Sequence, residues 1–413
     1  MRWTPRPVDR ISGRLLVVIA LLASVAPFAT DVYLPTFPAM AGELQASASD
    51  IQLTLTAFLL GAGLGQLVFG PWSDRAGRRL PLIAGTAVCA AAGILAACAP
   101  TMAVLIAARA VQGLSGAAGM VLGRAIISDV AHGREAVRAY NLTGVVMGVA
   151  PVAAPLVGSL LAATLGWRGL LLIVAGICLV TLGAVIVIVP ETHPVRAAAP
   201  AERLAHRPAG LTSRAFLGNM ATFVLAFAAM MSYISASPFV YQVMIGMNEV
   251  TYGLLFGGTA AAIAVASVVA ARLAHRFHAT QMVRLGVLVL ASSAATLGAL
   301  VAWAAPIVWV IVPLVIGVAS MGLIFGNATA LALGAVPHGL GTASAFLGAS
   351  QFGIGALVSP LVGIAGDHTA VPLAIAFGTS AALAGLTCLF TPNPRRSHPA
   401  AIAPQQGARA GIV

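Results

Sequence analysis

The stretch Phe28-Ala-Thr-Asp31-Val-Tyr33-Leu-Pro35-Thr-Phe-Pro38 closes an apolar run that begins at Leu15. At roughly 1.5 Å per helical residue, Asp31 lies about 25 Å along that run from Arg14. This places a carboxylate inside the outer half of a hydrocarbon core about 30 Å thick. Ionisable groups are costly there, so Asp31 is a functional candidate that faces a cavity or a partner. Taking a carboxylate out of water penalises its charged form, so such a group holds a proton more readily than a solvated one.

Composition extends the reading to the whole chain. Hydrophobic residues make up 60% of the 413 and charged residues only 8%, against about 25% charged in a soluble domain. The apolar runs are about 20 residues long and do not alternate, which excludes a transmembrane barrel. The expected fold is an all-α membrane protein of twelve transmembrane helices. The spans are expected near 15–36, 51–71, 80–99, 102–126, 139–164, 167–189, 215–240, 252–271, 282–303, 308–331, 343–364 and 371–390, with Pro35 and Pro38 ending the first. Arg2, Arg6, Arg10 and Arg14 precede an apolar run as in a signal peptide. The run continues past any cleavage point into Asp31 and Tyr33, which favours an uncleaved first span.

The net charge of +11 is carried without any Lys. With the N-terminus inside, nineteen Arg fall on the cytoplasmic side. Arg168 falls outside, and Arg109 and Arg124 lie in or at the edge of the fourth span. This bias predicts both termini inside and argues topology rather than nucleic-acid binding. Cys89, Cys98, Cys178 and Cys388 all fall in apolar spans without metal-site spacing, so neither a metal nor a disulfide is expected.

Segment 190–214 is rich in Pro, Ala and Arg and reads as a cytoplasmic linker. It would separate a six-helix half over 15–189 from a second over 215–390, between tails 1–14 and 391–413. A repeat supports the division: Ala154-Pro155-Leu156-Val157-Gly158 matches Ser359-Pro360-Leu361-Val362-Gly363, Gly148 matches Gly353, and Gly113 stands opposite Gly317. Duplicated halves are a transporter signature, with the binding site between them near mid-membrane. Arg109 is answered by Pro313 in the second half, so the first half is expected to carry the coupling chemistry.

Six stretches carry a resemblance, three to a superfamily and three to one branch of it. Gly70-Pro-Trp-Ser-Asp74-Arg75-Ala-Gly77-Arg78-Arg79 is similar to the loop signature between the second and third helices of the major facilitator superfamily. Arg109-Ala-Val-Gln112-Gly113 resembles the fourth-helix signature of proton-driven exporters there. Gly144, Gly148, Pro151, Pro155 and Gly158 resemble the antiporter signature of the fifth helix, with Ala150 in place of its Gly. Thr30-Asp31-Val-Tyr33-Leu-Pro35, Tyr233 to Phe239 and Arg124 to Asp129 resemble one branch, the Bcr/CflA-type drug-resistance exporters.

The resemblance implies two pseudo-symmetric bundles in the bacterial inner membrane and proton-coupled efflux of small amphiphilic drugs. Expected partners are a small-molecule substrate, protons and lipid, for a monomer without cofactor, metal or nucleic acid. Asp31 would bind the proton, or a cationic substrate, and Arg109 would tune it; the plainer alternative is a static buried ion pair. Asp74 would pair with a local Arg near a facing helix N-terminus and latch the halves, with Arg75, Arg78 and Arg79; the alternative is a loop that only sets orientation. The helix glycines and prolines would let the halves touch, or simply kink a packing helix. Tyr33, Phe58, Gln112, Phe227, Met230, Tyr233 and Gln351 would line the cavity, and aromatic and Met side chains suit varied apolar ligands. An exporter of a sugar or nucleoside is the alternative cargo reading. A membrane enzyme or receptor is disfavoured, because no nucleophile or paired-acid constellation is present.

Overall fold

The computed structural model describes residues 11–131, 133–192, 211–336 and 340–391. The N-tail up to 10, most of the expected linker and the tail beyond 391 lie outside the described residues. Thirteen α-helices are described, and no strand. In chain order they are α1 Gly13–Asp31, α2 Phe37–Glu43, α3 Ala48–Ala76, α4 Arg79–Ala97, α5 Met102–Val130, α6 Gly133–Ile188, α7 Arg214–Pro238, α8 Glu249–Leu273, α9 Ala279–Ala302, α10 Ile311–Ala319, α11 Met321–Gly334, α12 Leu340–Val358 and α13 Val371–Phe390.

Eleven segments among the described residues are long and apolar enough to cross a membrane. One of them, Arg138–Ile188, has 51 residues. As a single rod it would be about 75 Å long, more than twice a hydrocarbon core. It bends at Gly166, where φ is 60° and ψ −177°, outside the helical range. Helix starts are satisfied locally: Ser12, Ser47, Thr101, Ser213 and Asn248 each accept a first-turn N–H with their side chain. Lipid offers no partner for those groups, so capping at short loops closes the backbone account.

Pro35 and Pro38 do not end the first span. Pro35 opens a 3₁₀ turn over Leu34–Thr36 and Pro38 sits in the first turn of α2. Proline lacks an N–H that a first turn does not use, so here it restarts a helix. The chain therefore continues to Glu43, whose carboxylate accepts from Trp167 Nε1 at 2.7 Å and pairs with Arg168 at the α6 bend.

The first half packs α3 on α5, α4 on α5 and α6, and α1 on α6. In the second, α7 packs on α11 and α13, and α9 on α11 and α13. The halves meet where α3 crosses α12 and α6 crosses α8. One core runs through both halves. A second, built on Leu15, Ile19, Phe69, Leu82, Ile126 and Val185, belongs to the first half alone and lies at the end of the Gly77–Arg79 loop.

Candidate functional site

Asp31 ends α1 and is 6% exposed. It faces neither lipid nor open water. Helix crossings fix its surroundings. A Cβ on Gly158 would overlap the carbonyl oxygen of Val32, and one on Gly253 would overlap the Ser159 hydroxyl. Helix α6 is thus pressed between α1 and α8 beside Asp31. The neighbouring Thr30 hydroxyl donates to the Ala26 and Pro27 carbonyls, each at 3.1 Å, and Tyr252, the residue before Gly253 on α8, is fully buried. Tyr252 also meets Ser237 Oγ at 3.3 Å.

Arg109 is fully buried but does not pair with Asp31. Among the described residues it makes no ion pair. Its Nη1 donates to Gln112 Oε1 at 2.6 Å, and its Nη2 donates to the Ala29 carbonyl at 2.7 Å and to Tyr33 Oη at 3.3 Å. The guanidinium lies over the Phe58 and Tyr33 rings, at 4.5 and 4.8 Å from their centroids. The expected tuning contact fails for a geometric reason. Asp31 and Arg109 match in depth, but Ala29 and Tyr33 are each two residues, about 200° of helical turn, from Asp31. Arg109 therefore grips the opposite face of the chain. Cation–π contact and a backbone carbonyl offset part of the cost of burying the charge. Gln112 Nε2 and Arg109 Nε find no acceptor among the described residues.

The expected cavity residues fall into three groups. Tyr33, Phe58 and Gln112 surround Arg109, and Tyr33 Oη meets Thr54 Oγ1 at 3.0 Å. Phe227 packs edge-on to Phe352 and near Phe325. Tyr233 stacks on Phe256 at 5.5 Å and meets Tyr241 at 6.3 Å. Met230 and Gln351 are half-buried. Sequence reading missed Tyr241, Tyr252 and Phe256, which have no charge to mark them out in an apolar span.

In the loop motif, Arg78 is the hub. Its Nη1 donates to Asp74 Oδ1 and to Ser73 Oγ, each at 2.8 Å, and its Nε to Asp129 Oδ2 at 3.0 Å. Burial works against the Arg78 charge, but the bonds it donates to Asp129 and Asp74 outweigh it and hold the guanidinium protonated beyond its ordinary range. Gly77 adopts φ 85°, and the Glu191 carboxylate occupies the place of its absent Cβ. Glu191 accepts from the backbone N–H of Arg78 at 2.7 Å and of Arg79 at 3.1 Å. Arg79 Nη2 caps the Ile186 carbonyl at 2.9 Å, while Arg75 is exposed and Gly70 borders open space. Asp74 does pair with a local Arg. The N-terminus of α12, the facing helix, has side chains outside the described residues. Glu191 falls in the segment expected as linker, and Asp129 between the expected fourth and fifth spans. Both carry a signal that could have found them: an acid in a basic cytoplasmic loop does not serve a positive-inside bias.

Arg78→Gln is expected to destabilise the first half by about 2–3 kcal/mol, because it strips hydrogen bonds from charged acceptors. Arg75→Gln should leave the unfolding midpoint unchanged. Denaturant unfolding in detergent separates the two.

The helix glycines divide. Gly158 is a tight crossing, whereas Gly144 and Gly148 border open space and are exposed. The expectation that these two let the halves touch is not met in this state. Cys89 and Cys178 come together, Sγ to Sγ at 3.7 Å, with both thiols free. Their 89-residue separation hid this meeting from spacing arguments.

Two stacked helical halves, crossed by paired helices around a buried acid, define a polytopic membrane transporter. The Major Facilitator Superfamily model matches residues 19–360, and the chain belongs to that superfamily. It is 35% identical to the uncharacterized MFS-type transporter YdgK of Bacillus subtilis, over 94% of this chain and 98% of that one. It is 28% identical to a bicyclomycin resistance protein homolog of Haemophilus influenzae, over 91% and 95%. With a chloramphenicol resistance protein of Pseudomonas aeruginosa it shares 30% identity over 70% and 68%. Among solved structures, a D-xylose-proton symporter superposes with TM-score 0.74 at 17% identity, covering 92% of this chain and 96% of that one. The protein is a multi-pass transporter of small molecules in the bacterial inner membrane, not a catalytic enzyme.

Proposed function

We propose that this transporter exports small amphiphilic compounds, neutral or cationic, in exchange for inward-moving protons. The observation that carries the reading is Asp31: a carboxylate 6% exposed, unpaired with any cation among the described residues, at the crossing of α1, α6 and α8. A carboxylate placed between moving bundles takes up and releases a proton as its access alternates. The drug-resistance names of the relatives support the cargo class. Tyr33, Phe58, Phe227 and Tyr233, buried in this state, and half-buried Met230 and Gln351 would supply apolar and aromatic surface to a path that opens as the halves part, suited to varied ligands. Arg109 holds Tyr33 and the Ala29 carbonyl and so sets the α1 backbone that presents Asp31. The chain turns back at Gly166, making twelve spans with both termini cytoplasmic, and Asp74, Arg78 and Asp129 brace the first half for rocking.

Inverted vesicles with an acid interior test this reading. Adding a transported compound should dissipate part of the pH gradient while the compound accumulates inside. Lipophilic cations and neutral antibiotics are expected to do so; sugars and nucleosides are not. A response to sugars or nucleosides alone would replace the cargo assignment with a metabolite.

A further inference from the structure

Among the described residues, hydrogen bonds join the two halves at one end only. Ser49 Oγ donates to the Pro360 carbonyl at 3.0 Å, Gln52 Nε2 to the Ser235 carbonyl at 3.0 Å and Thr56 Oγ1 to the Ala356 carbonyl at 3.1 Å. Ser359 Oγ donates back to the Gln52 carbonyl at 3.4 Å, and Gln242 Nε2 to the Pro35 carbonyl at 2.9 Å. This is the end away from the Gly77–Arg79 loop. Toward that loop, Gly70, Gly144 and Gly148 border open space.

Two of the three second-half acceptors, the Ala356 and Ser235 carbonyls, have a common origin in the sequence. Ala356 would receive a helical bond from residue 360, which is proline and has no N–H. Ser235 would receive one from Phe239, but the chain passes there into a π turn over Phe239–Met244 and the Phe239 N–H turns to the Ala236 carbonyl. Both carbonyls are therefore freed by a helix break and need an outside donor. Ser49, Gln52 and Thr56, spaced on α3 at helical intervals, supply donors from the other half.

Gln52 is the centre of this set. It is 1% exposed and is bonded both to α7 through Ser235 and to the Ser359–Gly363 turn through Ser359. Ser235 and Ser359 are themselves joined at 2.7 Å. Gln52 Oε1 finds no donor among the described residues and fills the space where Gly363 lacks a Cβ. A cavity of about 10 Å³ adjoins it, bordered by Phe239, Val362 and Asp367. That is room for about one water and none for a substrate.

We propose that Gln52 is the positioning residue of a periplasmic gate, in which side-chain donors of α3 plug second-half carbonyls freed at the α7 and α12 breaks. When the halves part at this end, water takes over those carbonyls, so the bonds exchange rather than vanish. The gate holds the cytoplasm-facing state and yields to the outward one. Its periplasmic assignment rests on the topology proposed above; the plug itself does not depend on cargo or proton coupling.

The test uses the full chain in right-side-out and inverted vesicles, with native cysteines replaced and Ser235→Cys as reporter. A membrane-impermeant maleimide added from the periplasmic side should label the reporter slowly. Gln52→Met, which keeps length and loses the amide's hydrogen bond to the Ser235 carbonyl, should raise the rate about fivefold, the ratio one lost net hydrogen bond gives. In a separate variant, Thr56→Cys with Ala356→Cys should cross-link under copper-phenanthroline, two thiols losing two protons and two electrons to the oxidant. The cross-link should abolish alternation, read as loss of periplasmic labelling at Gln242→Cys, and reductant should restore it. Labelling unchanged by Gln52→Met, or a cross-link that leaves alternation intact, overturns the gate. Labelling raised only from the cytoplasmic side overturns the topology and with it the periplasmic assignment.

Discussion

Asp31→Asn is expected to abolish proton-driven accumulation while leaving a folded transporter. Each pH unit across the membrane is worth about 1.4 kcal/mol per proton. A one-proton exchanger should therefore sustain about a tenfold substrate gradient per unit, and the Asn variant none. Asparagine fills the same volume and the site is closely packed by α1, α6 and α8, so the fold should survive. Two readouts keep folding and coupling apart: substrate accumulation against an imposed pH gradient, and substrate equilibration without one. Loss of the first with retention of the second is the expected pattern. An Asn variant that still concentrates substrate against a gradient would remove the proton role from Asp31.

The second large effect divides residues that share one motif. Gly158→Ala puts a methyl group onto the Val32 carbonyl, a backbone atom that yields only if α1 and α6 separate. Overpacking of this kind costs about 1–3 kcal/mol and sometimes more, and here it would also shift Asp31, the residue before Val32. Gly144→Ala meets nothing within 4 Å. It should stabilise the helix by up to about 1 kcal/mol, the usual preference for Ala over Gly. Unfolding in detergent should rank the variants Gly144→Ala, wild type, Gly158→Ala. Reversal of that order would mean α1 and α6 do not cross at Gly158. Transport by Gly144→Ala tests something further: if the halves close at that end during the cycle, added bulk there slows turnover without lowering stability.

Much of this was legible before any tertiary contact was known. Apolar runs of spanning length leave helices as the one way to satisfy the backbone in lipid, so the all-helical fold follows from hydropathy alone. Asp31 stood out because the bilayer penalises a carboxylate, and Arg78 with Asp74 because an acid was set in a basic loop. These are local arguments, made by one residue against its solvent.

What local arguments do not reach is the angle of one helix about its axis relative to another. Asp31 and Arg109 agree in depth, yet half a turn of α1 separates their faces, and the pair dissolves into a Tyr33–Phe58 grip on Arg109 and a buried, cation-free seat for Asp31 among the described residues. The same holds for Gln52 and the carbonyl of Ser235, and for Cys89 and Cys178: each meeting joins distant segments by a rotation and crossing that no spacing encodes. Solvent preference along the chain determined which segments enter the membrane and which charges need explaining. Packing between helices, where only shape and complementary donors choose the partner, decided what each of those charges touches.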